Sequence, residues 1–550
     1  MKLQSTLLYA FFCWSIIFFN LSVAYADQTS DGELINGRTE IAFIELEGDA
    51  FYSSLELTIE TLEKRLKEIY QEYGHMLSIT EMHEITDLIT LMYREKGLIF
   101  HQAYILPQEI KGKTLIIHVQ KGTLTDVVAY SNTLYSEAQL KKPFTHLIGK
   151  TLFKSEVQSA LKTLKTYPGL KIFAYYSRGS KPGDIRLNLK VSEERASESS
   201  LALDNYGVKQ TGENRLTFEH RRNNPFRQFG QLHLSLLSTN EKGNLFGGVS
   251  YSAPFSNTEA IGGAFLHSMF DVSGIFDELG ITGELSSISG FWNYKQDVNK
   301  VGRIHKSAGL SLSARRSKVV SDAFPSFLNS KTDYVVASSS LTLSSVTEKT
   351  NDLHYQITFN PVFGSIFNKE NISLSDHFLA LKTKAQFRLQ NWSTYINQNH
   401  QLGIVIDSQW SNSKLGSAEH FITTGAKVNR GFEPGIFSAD SGLSFSVEQS
   451  INSSSYIDGY SFTPFVFFDY SAGWLTSSHK HSNFQSVGLG LNSTKTLSSS
   501  PLDQDKNQHS FLDKLSVGLS IGFPLSYRKT EVIADVEKDT TVYGRLELTF

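Results

Sequence analysis

Residues 543–550 read Tyr-Gly-Arg-Leu-Glu-Leu-Thr-Phe. Successive side chains of an extended strand point to opposite faces. Tyr543, Arg545, Glu547 and Thr549 therefore share one face, and Gly544, Leu546, Leu548 and Phe550 the other. The same period of two runs back through the chain. Leu216 and Phe218 alternate with Arg215, Thr217 and Glu219, and Leu232, Leu234 and Leu236 with Gln231, His233 and Ser235. Leu310, Leu312 and Ala314 alternate with Ser311 and Ser313, and Tyr355, Ile357 and Phe359 with Gln356 and Thr358. Such strands either bury an apolar face in a soluble sandwich or turn it to lipid around a polar lumen. Alternation alone leaves both readings open.

The rest of the chain narrows the choice. Its 550 residues carry 52 Lys+Arg against 55 Asp+Glu, so no basic footprint for nucleic acid exists and that class of partner is excluded. Lys2, a largely apolar stretch at 7–19, and Ala24 and Ala26 around Tyr25 form an export signal, with cleavage expected after Ala26. The only cysteine, Cys13, falls inside that signal, so the mature chain has neither disulfide nor thiolate. No later run reaches 18 apolar residues, so no transmembrane helix is expected, whereas barrel strands need only about ten alternating residues each. Aromatic residues at 465–470 and Trp474 suggest an interfacial girdle, and the closing Phe550 resembles the terminal strand of bacterial outer-membrane proteins.

Charge density divides the mature chain. Residues 41–195 carry 39 charged side chains in 155, and residues 196–550 carry 62 in 355. The first part has the composition of soluble domains and a helical period: apolar residues at 55, 59, 62, 66, 69 and 70, then a second helix over 80–94 ending before Gly97. Strands at 103–106 and 114–119 complete one α/β unit. A strand at 127–130, helices at 136–147 and 154–166, and strands at 171–176 and 185–191 repeat it.

In order along the chain, several motifs resemble the outer-membrane transporters of two-partner secretion, the ShlB/FhaC/HecB haemolysin secretion and activation family within the BamA-like superfamily. Residues 103–108 (Ala-Tyr-Ile-Leu-Pro-Gln), followed by 115–119 and Gly122, resemble its first POTRA domain. Pro168-Gly169 and Lys181-Pro182-Gly183 resemble turns of its second, and Asp204-Asn205-Tyr206-Gly207 with Asn224-Pro225-Phe226 the opening of its barrel. Residues 429–442, Asn-Arg-Gly-Phe-Glu-Pro-Gly-Ile-Phe-Ser-Ala-Asp-Ser-Gly, are similar to the family's VRGF/Y loop, and Phe467-Phe468-Asp469 to its F-x-D motif.

The resemblance implies α+β periplasmic POTRA domains at 41–122 and 123–195, after a signal peptide at 1–26 and a short segment at 27–40. A transmembrane β-barrel of sixteen antiparallel strands is implied for 196–550, with a loop around 427–442 folded into its lumen. In that loop Arg430, Gly431, Phe432 and Asp440 are the candidate residues, with Phe467 and Asp469 on the wall. Arg430 is expected to pair with Asp469, because a guanidinium and a carboxylate make a directional, charge-assisted contact that can hold a loop in a wet channel. Gly431 is expected to permit a sharp turn beside the arginine. The alternative for Arg430 is a solvated loop arginine.

The chain departs from the family pattern in three places. Asn429 stands where the family has valine, Ser471 where the F-x-D motif continues to glycine, and only residues 27–40 precede the first POTRA domain, which leaves no room for a lumen-plugging helix and its linker.

The implied function is secretion, without cofactor, of a large exoprotein bearing an N-terminal secretion domain. The barrel would sit in outer-membrane lipid with the POTRA domains in the periplasm. Capture of the unfolded substrate is expected by strand addition in a groove between the helix at 154–166 and the strand at 171–176, with Lys154, Lys162, Lys171, Phe173 and Tyr175 as candidates. The alternatives are a BamA-like assembly factor and a passive porin. An enzyme is not indicated. Gly149-Lys150-Thr151 and Gly112-Lys113-Thr114 have Phe144 and Pro107 where a phosphate loop needs its first glycine, and His83-Glu84 is followed by Asp87 where a zinc protease needs histidine.

Overall fold

The computed structural model describes residues 37–49, 52, 55, 58–240, 243–296, 304–345, 353–370, 372–391, 400–451, 459–497, 512–528 and 539–550. The export signal and residues 27–36 of the segment expected to be too short for a plug lie outside the described residues. The chain divides into two compact units. One comprises the chain up to Val127 with His146–Val157 and Tyr176–Leu187, and the other Val128–Thr145, Gln158–Tyr175 and Asn188–Phe550.

In the first unit the helix Ile79–Glu95 starts at a capping box: Ser78 Oγ accepts from the Glu81 amide, and the Glu81 carboxylate accepts from the Ser78 amide. Two orphan amides of the first turn are thereby satisfied. Ile85, Ile89 and Tyr93 recur along one face of this helix and, with Leu98, Leu115 and Ile117, are fully or almost fully buried. The expected helix at 55–70 forms as Ile59–Tyr73. A strand too short to leave a periodic signal, Arg38–Glu40, pairs antiparallel with Met76–Ser78. The sheet of this module runs Phe43–Gly48, Thr114–Gln120, Gln102–Tyr104, the first pair parallel.

The second module contributes a three-stranded sheet ordered Thr123–Tyr130, Asp184–Glu194, Leu170–Arg178. Its helix Lys154–Lys165 forms as expected. The segment expected as one helix at 136–147 instead changes type, from α over Glu137–Lys141 to 3-10 over Lys142–Leu147. Pro143 has no amide proton and cannot extend the α ladder beyond the first turn.

Sixteen antiparallel strands, from Ser197–Asp204 to Thr541–Thr549, form the closed barrel of the second unit. Each pairs with the next along the chain, and the last returns to the first, with Arg545 opposite Asp204 and Thr549 opposite Ser200. Closure removes the free edges that lipid could not satisfy. The side chains are inverted relative to a soluble protein. Ile288, Leu310, Leu312 and Phe363 are between 50% and 63% exposed, whereas the inward Ser471, Ser482 and Ser486 are at 0%. Apolar outside and polar inside selects the membrane reading of the alternation over the sandwich.

Parity corrects one expectation. Phe465 and Phe467 lie within the strand Tyr460–Trp474 and are buried on its inward face with Asp469 and Ser471, so they form no girdle. Trp474, at the strand end, is 43% exposed.

Candidate functional site

The strand His400–Ser411 and the next barrel strand, Ser441–Ile451, are joined by the longest described connection in the barrel, residues 412–440. This loop contains a 3-10 turn, Ser417–Glu419, and a two-rung ladder between Phe421–Ile422 and Ser438–Ala439. Its tip carries Asn429, Arg430, Gly431 and Phe432.

Two wall strands present the partners. Ser446 lies directly opposite Asp469 in the ladder between Ser441–Ile451 and Tyr460–Trp474, so both side chains point into the lumen from adjacent positions. Asp469 is 1% exposed and accepts four hydrogen bonds. Arg430 donates its backbone N–H (3.0 Å) and Nε (2.9 Å) to Oδ2 and its Nη2 (3.0 Å) to Oδ1, and Ser446 Oγ donates to Oδ1 at 2.7 Å. Arg430 Nη1 reaches Glu448 Oε2 at 2.7 Å, and its guanidinium carbon lies 3.6 Å from the centroid of the Phe467 ring. The cation is thus fixed by two carboxylates and by an aromatic face, with the guanidinium fork satisfied in its own plane.

The flanking residues make a second, neutral set of contacts. Asn429, at 0% exposure, donates Nδ2 to Ser471 Oγ (3.2 Å) and to the Phe484 carbonyl (3.1 Å), and its Oδ1 accepts from Ser486 Oγ at 2.7 Å. The two departures from the family pattern, Asn429 and Ser471, therefore meet each other. Phe432 is buried against Phe484 and Tyr527, and its carbonyl accepts from Tyr543 Oη at 2.6 Å.

Gly431 serves a different purpose from the one expected. It is absent from the positive-φ residues, so no left-handed turn requires it. A Cβ there would stand 2.3 Å from Ser486 Cβ, and one on Gly522 would stand 2.1 Å from the Arg430 carbonyl oxygen. Both glycines permit close approach of loop and wall.

Arg430, Gly431, Phe432, Phe467 and Asp469 are thus brought together. Asp440 is not among them. It lies at the loop's base at 0% exposure, where Oδ1 accepts from the Leu415 amide (2.7 Å) and Oδ2 from the Thr476 amide (2.8 Å). Glu448, Ser446 and Ser486 were missed by the sequence reading. Inward parity on their strands was the available signal, but it could not say which inward residue meets the loop.

The capture candidates do not form the expected groove. Lys171, Phe173 and Tyr175 alternate outward on Leu170–Arg178, an edge strand, with Phe173 61% and Tyr175 40% exposed. Tyr175 Oη hydrogen-bonds Tyr130 Oη on the same open sheet face. A side chain that open is not covered by a helix, so these residues belong to the bare face and free edge. Lys154 and Lys162 lie on the helix. The sequence Gly518-Leu519-Ser520-Ile521-Gly522 has the spacing of a nucleophile elbow but lies inside the barrel strand Lys514–Tyr527, without the strand-to-helix turn that exposes such a serine.

The family model for haemolysin secretion/activation proteins ShlB/FhaC/HecB matches residues 329–494, which include the whole loop and Asp469, and the ShlB-type POTRA model matches residues 54–122. Over both stretches the chain is similar to the ShlB/FhaC/HecB family. A relative, the heme/hemopexin transporter protein HuxB of Haemophilus influenzae, is 22% identical over 465 residues, covering 78% of each chain. The solved structure of CdiB from Escherichia coli is 18% identical, with a TM-score of 0.61 over 96% of this chain and 93% of that one. BamA from Haemophilus ducreyi lacking POTRA domains 1–3 is 13% identical, with a TM-score of 0.52 over 93% of this chain and all of that one. The protein is a two-partner secretion transporter of the outer membrane, with its POTRA region in the periplasm, and such transporters work with a secreted exoprotein partner.

Proposed function

We propose that the transporter takes an unfolded exoprotein by its N-terminal secretion domain from the periplasm and passes it through the barrel lumen when the loop carrying Arg430 leaves its dock. Capture begins at the free edge of Leu170–Arg178, where an extended substrate segment adds as a further strand and Phe173 and Tyr175 give its side chains an apolar and hydrogen-bonding surface. Passage needs a wet, polar path. A cavity of about 1070 Å³ beside the loop, lined by Lys384, Gln386, Arg388, Asp407 and Glu448 as well as Arg430, supplies polar walls. The chemistry is transport; no step forms or breaks a covalent bond, and folding of the substrate outside biases its direction.

The observation that carries the reading is the docking of Arg430 on Asp469 and Glu448 inside a lumen. Polar contacts of that kind can be exchanged for water when the loop moves, whereas a fully apolar plug would have to expose its core. The test is release of large exoproteins bearing an N-terminal secretion domain, in cells lacking the gene and complemented with wild type or Arg430→Ala. Loss of secretion restored by wild type alone is the expected result. Undiminished secretion in the deleted strain, accompanied by failing assembly of other barrels, would replace this reading with a BamA-like one.

A further inference from the structure

The lumen loop is held at a second charged point, on other strands and with the signs reversed. Glu419, in the 3-10 turn Ser417–Glu419, has a side chain 4% exposed. It ion-pairs with Arg315 Nη1, lies 3.4 Å from Lys382 Nζ, and accepts from Tyr334 Oη at 3.4 Å. These partners stand on Ile304–Ser321, His377–Gln390 and Ser330–Ser345, none of which contributes to the Arg430 dock. Arg315 is itself braced, its Nε donating to Ser313 Oγ at 3.2 Å. Gln409 Nε2 donates to the carbonyls of both Glu419 and Asp440 at 2.9 Å, which ties this turn to the loop's returning end.

We propose that Glu419 is a second latch of the lumen loop, a positioning residue that keeps the loop docked independently of Arg430. At one latch a loop cation meets wall carboxylates; at the other a loop carboxylate meets wall cations. A buried carboxylate that loses its cationic partners is left with a large desolvation cost, so the Glu419 turn holds its place even when the Arg430 end is free. Two contacts on one short tether reinforce each other, because release of one leaves the other at high effective concentration. This inference rests on the moving-loop reading above.

The test is ion conductance of the full-length protein in planar lipid bilayers for wild type, Arg430→Ala, Glu419→Gln and the double variant, each first shown to be folded by heat-dependent gel mobility. Glu419→Gln is expected to raise the open-to-closed ratio by roughly threefold to tenfold, in line with loss of one partly screened ion pair. The double variant is expected to exceed the product of the two single effects. Arg315→Gln, which leaves the loop sequence intact, is expected to reproduce Glu419→Gln, and Glu419→Asp to retain most of the closure. Glu419→Gln indistinguishable from wild type, with the double variant equal to Arg430→Ala, would overturn the second latch and leave the Arg430 reading standing. Wild-type conductance in Arg430→Ala and the double variant alike would overturn the moving-loop reading on which both depend.

Discussion

Replacing Asp469 with alanine removes the acceptor of four hydrogen bonds in one step, three of them from Arg430. Arg430 keeps Glu448 at 2.7 Å and the Phe467 face, but its side chain is only 13% exposed, so water cannot replace the lost carboxylate while the loop stays docked. Breaking a buried charge pair from one side costs about 3–5 kcal/mol. Glu448, with a side chain 35% exposed, retains part of the attraction, which places the cost near the lower end. About 3 kcal/mol corresponds to roughly a hundredfold shift from docked to undocked loop. The sequence holds one cysteine, Cys13, so in a Cys13→Ser background a single Thr424→Cys, at a loop position 1% exposed, reports undocking by its rate of maleimide labelling. Asp469→Ala is expected to speed that labelling by about two orders of magnitude, and Asp469→Asn by less, since one acceptor oxygen remains. A change under about threefold for Asp469→Ala would refute the claim that this carboxylate holds the loop.

Three further outcomes are expected. Gly431→Ala should increase Thr424→Cys labelling with the Arg430 pair intact, because the new Cβ would lie 2.3 Å from Ser486 Cβ and overpacking of this kind costs about 1–3 kcal/mol; unchanged labelling would contradict the close-approach argument. Asp204, with a side chain at 0% exposure, ties the first strand to the last through Arg545 (2.9 Å) and to the second through Arg215 (2.6 Å), so Asp204→Ala should lower the temperature at which the barrel loses its compact gel mobility, whereas half-exposed Glu219→Ala should not. Burial pushes the His101 imidazole down to about 4 from its ordinary value near 6.5. The unfolded chain then binds the proton more tightly, so this histidine costs the first module nothing above pH 6.5 and destabilises it progressively as pH falls toward 4, by up to roughly 3 kcal/mol. The urea midpoint of the first module should therefore fall as pH drops below about 6.5 in wild type and fall less in His101→Gln.

The barrel was legible because membrane strands display their environment twice, in the apolar face of residues such as Leu310 and Leu312 and in the small or polar face between them. The family resemblance supplied the strand number and pointed to Arg430 and Asp469, which lie 39 positions apart and share no local period. The structure adds what depends on register between distant segments. Ser446 faces Asp469 only because of how two strands align, and Glu419 reaches Arg315 across 104 positions. Phe465 and Phe467 were misread as a girdle because clustering was weighed without parity, although Asp469 on the same face fixes them as inward. Gly431 was read from the usual reason for glycine, conformational freedom, when the reason was the Ser486 side chain, invisible until loop and wall are placed together. The capture groove failed for a similar cause: a helix and a strand adjacent in sequence need not expose their shared side.

The most direct test ties the loop to the wall and asks whether substrate still passes. Asn429 Nδ2 and Ser471 Oγ are 3.2 Å apart, and Cys13 is the sequence's one cysteine, so Asn429→Cys with Ser471→Cys in a Cys13→Ser background offers a reversible link between loop and strand. With the disulfide formed, secretion of the partner exoprotein is predicted to stop while the barrel stays folded in the outer membrane, and reductant is predicted to restore it. Equal secretion in the oxidised and reduced states, with the crosslink verified in the secreting cells, would contradict the claim that the loop must leave its dock.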